Sequence, residues 1–580
     1  MPIHDLAQVD DYNPDRRREL TRNPYSPVMV LLSLIATLGI IAYAVFLLNP
    51  ANRGDWLPYL LVIGAEAILI VHALLAMWTI LAGSKSPRDE AYYAAQRSLF
   101  GQHIPTAGHR PQPDWPLRLD GEPVSVAVFI TCYGEPLEVI RRTAVAARDL
   151  WGEHTTWILD DGRSDEVREL AAEVGVQYIR RLSSGGAKAG NVNHALSQVK
   201  TDYFCVFDAD FAPLPEFLYQ TLPFFIDPNV AFVQTPQSYG NLHSLIARGA
   251  GYMQTVFYTF VQPGRNHFNA AFCVGTNVVF RRAAVDDVGG IYTDSKSEDV
   301  WTSLMLHERG WRSVYIPDVL AVGDAPETIE AYTKQQLRWA TGGFEILFTH
   351  NPLNPKHPLT LDQRLMYFVT ATHYLTGIAP GLLLMVPALE VYFDLRPVVL
   401  GTTFATWLLF YAGFYLMQIL LAFYTLGSFR WEVLMLATAS FPIYHQALIN
   451  AFSGKEQKWH VTGAQGTRTS PFNFIRPQVY LFTFLALTSV VAIWRDLNNA
   501  QLSLATGWNL TNTLVLAVFL LVALREGRTA PAPPDPRIAE PTVMDPPLEQ
   551  VVRERARDLV PAEARSPVPR RVTHLIGDLS

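Results

Sequence analysis

Tyr203-Phe204-Cys205-Val206-Phe207-Asp208-Ala209-Asp210 is the stretch from which the fold can be read. Five large or β-prone apolar residues stop abruptly on two carboxylates. In an α/β protein this is the end of a buried strand, and ligands bind outside the carboxyl ends of such strands. The arrangement recurs upstream, where the strand pattern Thr155–Leu159 runs into Asp160-Asp161-Gly162. One Asp-x-Asp, or one Asp-Asp-Gly, is by itself an ordinary solvated turn. Two acidic strand ends in an order that lets both face one crevice point to a shared site.

Working outward, residues 83–361 alternate apolar strand-like runs (Val124–Tyr133, Ala231–Gln234, Ala271–Phe280) with helical patterns (Glu135–Leu150, Asp165–Val174, Ala187–Val199). The alternation predicts an α/β domain with a mainly parallel sheet. A third acidic cluster is Ser297-Glu298-Asp299. Ser295 and Glu298 have capping-box spacing, which predicts a helix from here to near Gly310, with Asp299 in its first turn. An acid at that position also simply suits the helix dipole. Further on, Gln335, Arg338 and Trp339 fall at i, i+3 and i+4 of a predicted helix, on one face. A guanidinium there can grip a diphosphate bidentately, and an indole beside it is a flat apolar plate for a sugar ring. The same trio would also suit an interfacial helix with a snorkelling Arg and a Trp anchor.

The flanks differ in character. With 49% hydrophobic and 17% charged residues, the 580-residue chain leans toward a membrane protein. Runs at about 27–48 and 57–82 precede the α/β region, and runs at about 365–392, 398–426, 479–494 and 509–524 follow it, each counted as a span. Glu66 and His72 lie inside the second, where they suit a channel lining or an interhelical hydrogen bond. The segment 431–452 carries Glu432, Pro442 and His445 and reads as a helix at the membrane surface, with a seventh span as the alternative. Arg16, Arg17, Arg18 and Arg22 before the first run, Lys85 and Arg88 after the second, and Arg525 and Arg528 after the last place the α/β domain on the cytoplasmic side. The expected order is a cytoplasmic segment (1–26), two spans (27–82), the α/β domain (83–361), two spans (362–428), an interfacial helix and loop (429–477), two spans (478–525) and a Pro-rich, disordered tail (526–580). A net charge of −7 without a basic stripe gives no sign of nucleic-acid binding, and no nucleic-acid partner is expected. Cys132, Cys205 and Cys273 share no metal-ligand spacing and fit a reduced compartment.

The ordered set Asp160-Asp161-Gly162, Asp208-Ala209-Asp210, Ser297-Glu298-Asp299 and Gln335-Gln336-Leu337-Arg338-Trp339 resembles the D, DxD, xED, QxxRW signature of processive family-2 glycosyltransferases of the bacterial cellulose synthase type. Thr131-Cys132-Tyr133-Gly134-Glu135-Pro136 resembles that family's uridine-contacting turn. Ala187-Lys188-Ala189-Gly190-Asn191 is similar to its diphosphate-approaching segment, and Gln234-Thr235-Pro236-Gln237 to its Gln-Thr-Pro-His. The resemblance implies a GT-A (Rossmann-like) domain inserted between about six membrane spans. It further implies a UDP-sugar donor, a growing polysaccharide acceptor threaded across the lipid bilayer, accessory subunits, and Mg²⁺ or Mn²⁺ as cofactor. Thr131, Tyr133, Glu135 and Asp161 would hold the nucleotide, and Asp208 and Asp210 the metal. Lys188 and Arg338 would meet the phosphates, Asp299 would be the general base, Trp339 would stack under the terminal acceptor sugar, and Gln335 would join the substrate-binding set.

The implied activity is processive, inverting synthesis of a β-glucan from UDP-glucose. Its rivals are a chitin- or hyaluronan-like synthase using UDP-N-acetylglucosamine, and a non-processive transferase to a lipid phosphate. Trp459-His460-Val461-Thr462-Gly463-Ala464 resembles the family's gating loop, Phe-x-Val-Thr-x-Lys, with Trp459 for Phe and Ala464 for Lys; Val461 and Thr462 are retained. Gln237 replaces the His, and Cys273 is displaced by one position in Phe272-Cys273-Val274-Gly275-Thr276. Both changes bear on the linkage formed.

Overall fold

The computed structural model describes residues 27–83, 85–101, 103, 111–399, 430–454, 470–500 and 503–529. The span expected at 398–426, from residue 400 on, and the loop carrying Trp459, Val461 and Thr462 therefore lie outside the described residues, as do residues 1–26 and the tail from 530 on; the first residues of the expected disordered tail, 526–529, are instead helical.

Two apolar helices open the described chain, α1 (Pro27–Leu48) and α2 (Trp56–Ala82), both long enough to cross a bilayer. The α/β domain follows. Its seven-stranded sheet contains β1 (Val126–Cys132), β2 (Thr155–Asp160), β3 (Gln177–Arg180), β4 (Tyr203–Asp208), β5 (Val230–Gln234), β6 (Val278–Arg281) and β7 (Arg312–Tyr315). The spatial order is β7-β5-β6-β4-β1-β2-β3. Every residue of β1 and β5 is buried, as expected for strands covered on both faces. Alternate residues of β1 feed two different cores: Val126, Val128 and Ile130 go to one, Ala127 and Phe129 to the other.

The sheet is mixed. β6 runs antiparallel to both β4 and β5, whereas every other pair is parallel. Of the apolar run Ala271–Phe280, only the end is strand. Residues 271–277 leave the sheet, because Gln234 holds them: its side-chain amide donates to the Thr276 carbonyl (2.8 Å) and its carbonyl oxygen accepts from the Val274 N–H (2.9 Å).

Connecting helices include α3 (Leu137–Arg148), α4 (Asp165–Val174), α5 (Ala187–Gln198) and α6 (Glu298–Glu308). The helix predicted from the third acidic cluster exists, but the capping box does not. Residue Ser297 holds the N-cap position without a side-chain bond, and the Ser295 hydroxyl instead donates to Glu345 (2.8 Å). Glu345 belongs to α7 (Ile329–Thr349), so this serine ties two helices together.

The run expected as one span at 365–392 is broken into α8 (Leu361–Thr372), α9 (Leu375–Leu383) and α10 (Val386–Phe393). Pro387 has no N–H to give the Leu383 carbonyl, and α9 ends there. The apolar membrane-length unit is Leu375–Phe393. Segment 431–452 is likewise two helices, α11 (Trp431–Ala439) and α12 (Phe441–Ser453), with Pro442 just past the break. α13 (Arg476–Asn499) and α14 (Leu504–Thr529) complete the set. Among the described residues five membrane-length apolar helical units are present. His72 on α2 hydrogen-bonds Thr372 at the end of α8 (3.0 Å), the interhelical alternative raised by its position.

Candidate active site

β1 lies between β2 and β4, and its Thr131 is level with Leu159 on one side and Asp208 on the other. The turns after these three strands therefore emerge side by side. Tyr133, Glu135, Asp161, Asp208 and Asp210 all line one cavity, together with Thr131 and Lys188.

The two acids after β2 do different things. Asp160 accepts the N–H groups of Arg163 (3.0 Å) and Ser164 (2.8 Å) and the Tyr178 hydroxyl (2.8 Å), and so builds the turn. Asp161 faces the cavity, gripped by both arms of Arg181, with Nη2 to Oδ2 at 2.6 Å and both side chains buried. The same guanidinium donates to the carbonyls of Gly185 and Ala187. Arg181 thereby fastens Asp161 to the turn that opens α5 and delivers Lys188, whose ammonium meets Asp208 Oδ1 in a short ion pair. The Thr131 hydroxyl also donates to Asp208 (3.3 Å).

Negative charge accumulates here. Burial, then Asp208, Asp324 and Glu135, push the Asp210 carboxyl well above the carboxylate range. Burial pushes Glu135 up to about 7, with Asp208 and Asp160 adding to it and the Tyr133 N–H opposing. Arg142 bridges the Asp210 carbonyl and Asp324 Oδ2, each at 2.9 Å. A cavity that raises carboxylates in this way fits a hard divalent cation, whose oxygen ligands are of this kind.

The other wall is helical. Asp299, in the first turn of α6, accepts the Val300 N–H (2.8 Å). Burial and the neighbouring Glu298 push it up to about 7, with Lys188 and Arg338 opposing. Gly275 takes φ +82°, and a β-carbon on it would lie 3.5 Å from both Asp299 Oδ2 and Lys188 Nζ. The 271–277 segment thus passes beside the Asp299 carboxyl and the Lys188 ammonium, and a side chain at 275 would be strained by the positive φ. Gln335, Arg338 and Trp339 of α7 line the same cavity. Their neighbour Gln336 points the other way, into the core, and accepts from the Tyr444 hydroxyl of α12 (3.2 Å). α7 packs against the N-cap of α6 through Gly342: a β-carbon there would sit 2.0 Å from Ser297 Oγ.

All the described residues expected in the site are brought together. Arg181, Arg142, Asp324, Lys296 and Tyr239 were not foreseen. Arg181 follows Arg180 at the end of β3, and strand alternation sends the two to opposite faces: Arg180 pairs with exposed Asp165, Arg181 with buried Asp161. That alternation was the one signal available. Asp324 carries no motif at all.

Fold and site together define a GT-A glycosyltransferase domain set among membrane-length helices. Residues 123–342 match the family Glycosyltransferase like family 2, and residues 285–438 match Cellulose synthase. The two matches together fall on the α/β domain and the helices that directly follow it. It is 36% identical over 285 residues to the cellulose synthase catalytic subunit [UDP-forming] of Xanthomonas axonopodis pv. citri (strain 306), covering 46% of this chain and 38% of that protein. To the corresponding subunit of Pseudomonas fluorescens (strain SBW25) it is 35% identical over 315 residues, covering 51% and 41%. The chain thus spans about two-fifths of the length of these relatives. Among solved structures, mannosyltransferase PcManGT from Pyrobaculum calidifontis is similar with a TM-score of 0.43 and 15% identity, over 68% of this chain and 100% of that one.

Proposed function

We propose that this protein is a processive, inverting glycosyltransferase that polymerises a β-glucan from UDP-glucose and passes the product across the membrane from a cytoplasmic catalytic domain. The observation that carries the reading is the meeting, in one cavity, of a buried carboxyl near neutral pKa (Asp299), two cationic side chains (Lys188, Arg338) and an aromatic plate (Trp339).

Tyr133, Glu135 and Asp161 bind the nucleotide on the strand-end wall. Asp208 and Asp210 would hold Mg²⁺ or Mn²⁺, which when bound neutralises diphosphate charge. Trp339 stacks beneath the terminal sugar and Gln335 orients it. Asp299 takes the proton from the acceptor hydroxyl as that oxygen bonds to the donor's anomeric carbon. The bond from that carbon to the diphosphate breaks on the opposite face, and UDP leaves with its charge met by Lys188 and Arg338. Attack from the face opposite the leaving group inverts the anomeric centre. The Lys188 ammonium, with three donors, can meet phosphate while keeping or releasing its ion pair with Asp208.

The test is product length and linkage analysis after incubating purified protein with UDP-glucose, alongside UDP release across a panel of nucleotide sugars. Long β-linked glucan is the expected product. A single sugar added to lipid would sink processivity, and turnover confined to UDP-N-acetylglucosamine would replace the donor.

A further inference from the structure

Away from the cavity, three side chains converge where α6 and α7 end. Glu308 is the last residue of α6, His350 caps α7, and His357 lies in the turn that leads to α8. Glu308 Oε1 is 2.8 Å from His350 Nε2 and 3.2 Å from His357 Nδ1, and one ligand atom from each residue lies within 4.8 Å of the others. Ligand atoms around a tetrahedral Zn²⁺, with bonds of about 2.0–2.1 Å, lie about 3.3 Å apart. The three side chains are mostly buried, with exposures of 16–24%.

The turn is built. Arg364 donates to the carbonyls of Leu359 (3.1 Å), Pro355 (3.3 Å), Asn354 and His357, which fixes the loop that presents the second imidazole. The indole of Trp301 meets the His350 ring edge-to-face at 5.3 Å. Glu308 sits at the carbonyl end of its helix, where the dipole favours a cation.

We infer that Glu308, His350 and His357 form a Zn²⁺ site that ties the C-terminal ends of α6 and α7 together. Two imidazoles and one carboxylate suit a borderline-soft ion, in contrast to the all-oxygen Asp208/Asp210 pair, and water completes the four-coordinate shell. α6 carries Asp299 at its start and α7 carries Gln335, Arg338 and Trp339, so the ion would brace the helices that set the spacing of base and acceptor plate. Ion binding itself does not depend on the proposed glycosyl transfer.

The full chain, stripped with chelator and dialysed against Zn²⁺ in excess Mg²⁺, should retain about one Zn²⁺ per chain by elemental analysis. The Mg²⁺ keeps the carboxylate site filled with a hard ion. Co²⁺ in place of Zn²⁺ should give the intense visible absorption of a four-coordinate ion. His357→Ala, the mildest variant because it lies in a turn, should weaken Zn²⁺ binding by at least about tenfold. His350→Ala/His357→Ala should retain none, and Asp208→Asn should leave the zinc content unchanged. Zinc content equal in the wild type and a monodisperse double variant, or no zinc in the wild type, overturns the assignment. So does loss of the zinc in Asp208→Asn.

Discussion

The two walls of the cavity reach it by different routes. On the side proposed to hold the donor, Tyr133, Asp161 and Asp208 sit just past, or at, the ends of three adjacent parallel strands, so hydrogen-bond register sets their backbone spacing. On the acceptor side, Asp299 and the Gln335–Trp339 face come from two helices. These meet only because Gly342 leaves room for Ser297, because Ser295 bonds Glu345, and because α12 backs α7 through Tyr444. A strand-end wall is rigid by construction. A helix-on-helix wall can be displaced by what packs behind it, including the membrane-side helices.

The contrast can be broken by mutation. Asp299→Asn should lower kcat by about 10²–10⁴-fold while leaving UDP affinity nearly intact, as measured by turnover and by calorimetric UDP titration. An equal loss of UDP binding would mean that the walls are not separable. Arg181→Ala should do the converse. It leaves Asp161 buried without its partner, at a cost of about 3–5 kcal/mol, and should weaken UDP binding with a smaller change in kcat. Retained UDP affinity in this variant would remove Arg181 from the donor wall.

Acidity offers a third handle. Asp299 must be ionised to accept a proton, and burial raises it to about 7. Activity should therefore be half-maximal near about pH 7, level off above about pH 8, and approach a tenfold fall per unit below about pH 6. A rate flat between pH 5.5 and 7.5 would contradict this assignment of the base. The smallest effect expected is from Tyr444→Phe, which removes the 3.2 Å hydrogen bond to buried Gln336 behind the acceptor face. It should cost about 1 kcal/mol of stability and raise the KM for added oligosaccharide acceptor more than that for UDP-sugar.

Much of this was legible beforehand, and unevenly. The acids Asp160, Asp161, Asp208 and Asp210 could be placed because an apolar run that stops on a carboxylate marks a strand end. Gln335, Arg338 and Trp339 could be placed because helical spacing puts them on one face. The third acidic cluster was located but its cap was misread: spacing matched Ser295 to Glu298, whereas the serine's partner is Glu345, fifty residues away. The run Ala271–Phe280 was read as one strand. Most of it is a loop threaded past Asp299, since a buried Gln234 side chain claims its backbone.

The sequence by itself determined which residues could carry chemistry and which local face or strand end each would occupy, because periodicity and turn chemistry act over a few residues. The tertiary structure decided partnership. It reversed β6 within the sheet, chose Arg181 over Arg180 for Asp161, set Asp324 beside Asp210, and closed Glu308 on His350 and His357. Those choices depend on which distant segments exclude water together, and side-chain period says which way a residue points but not what it will meet.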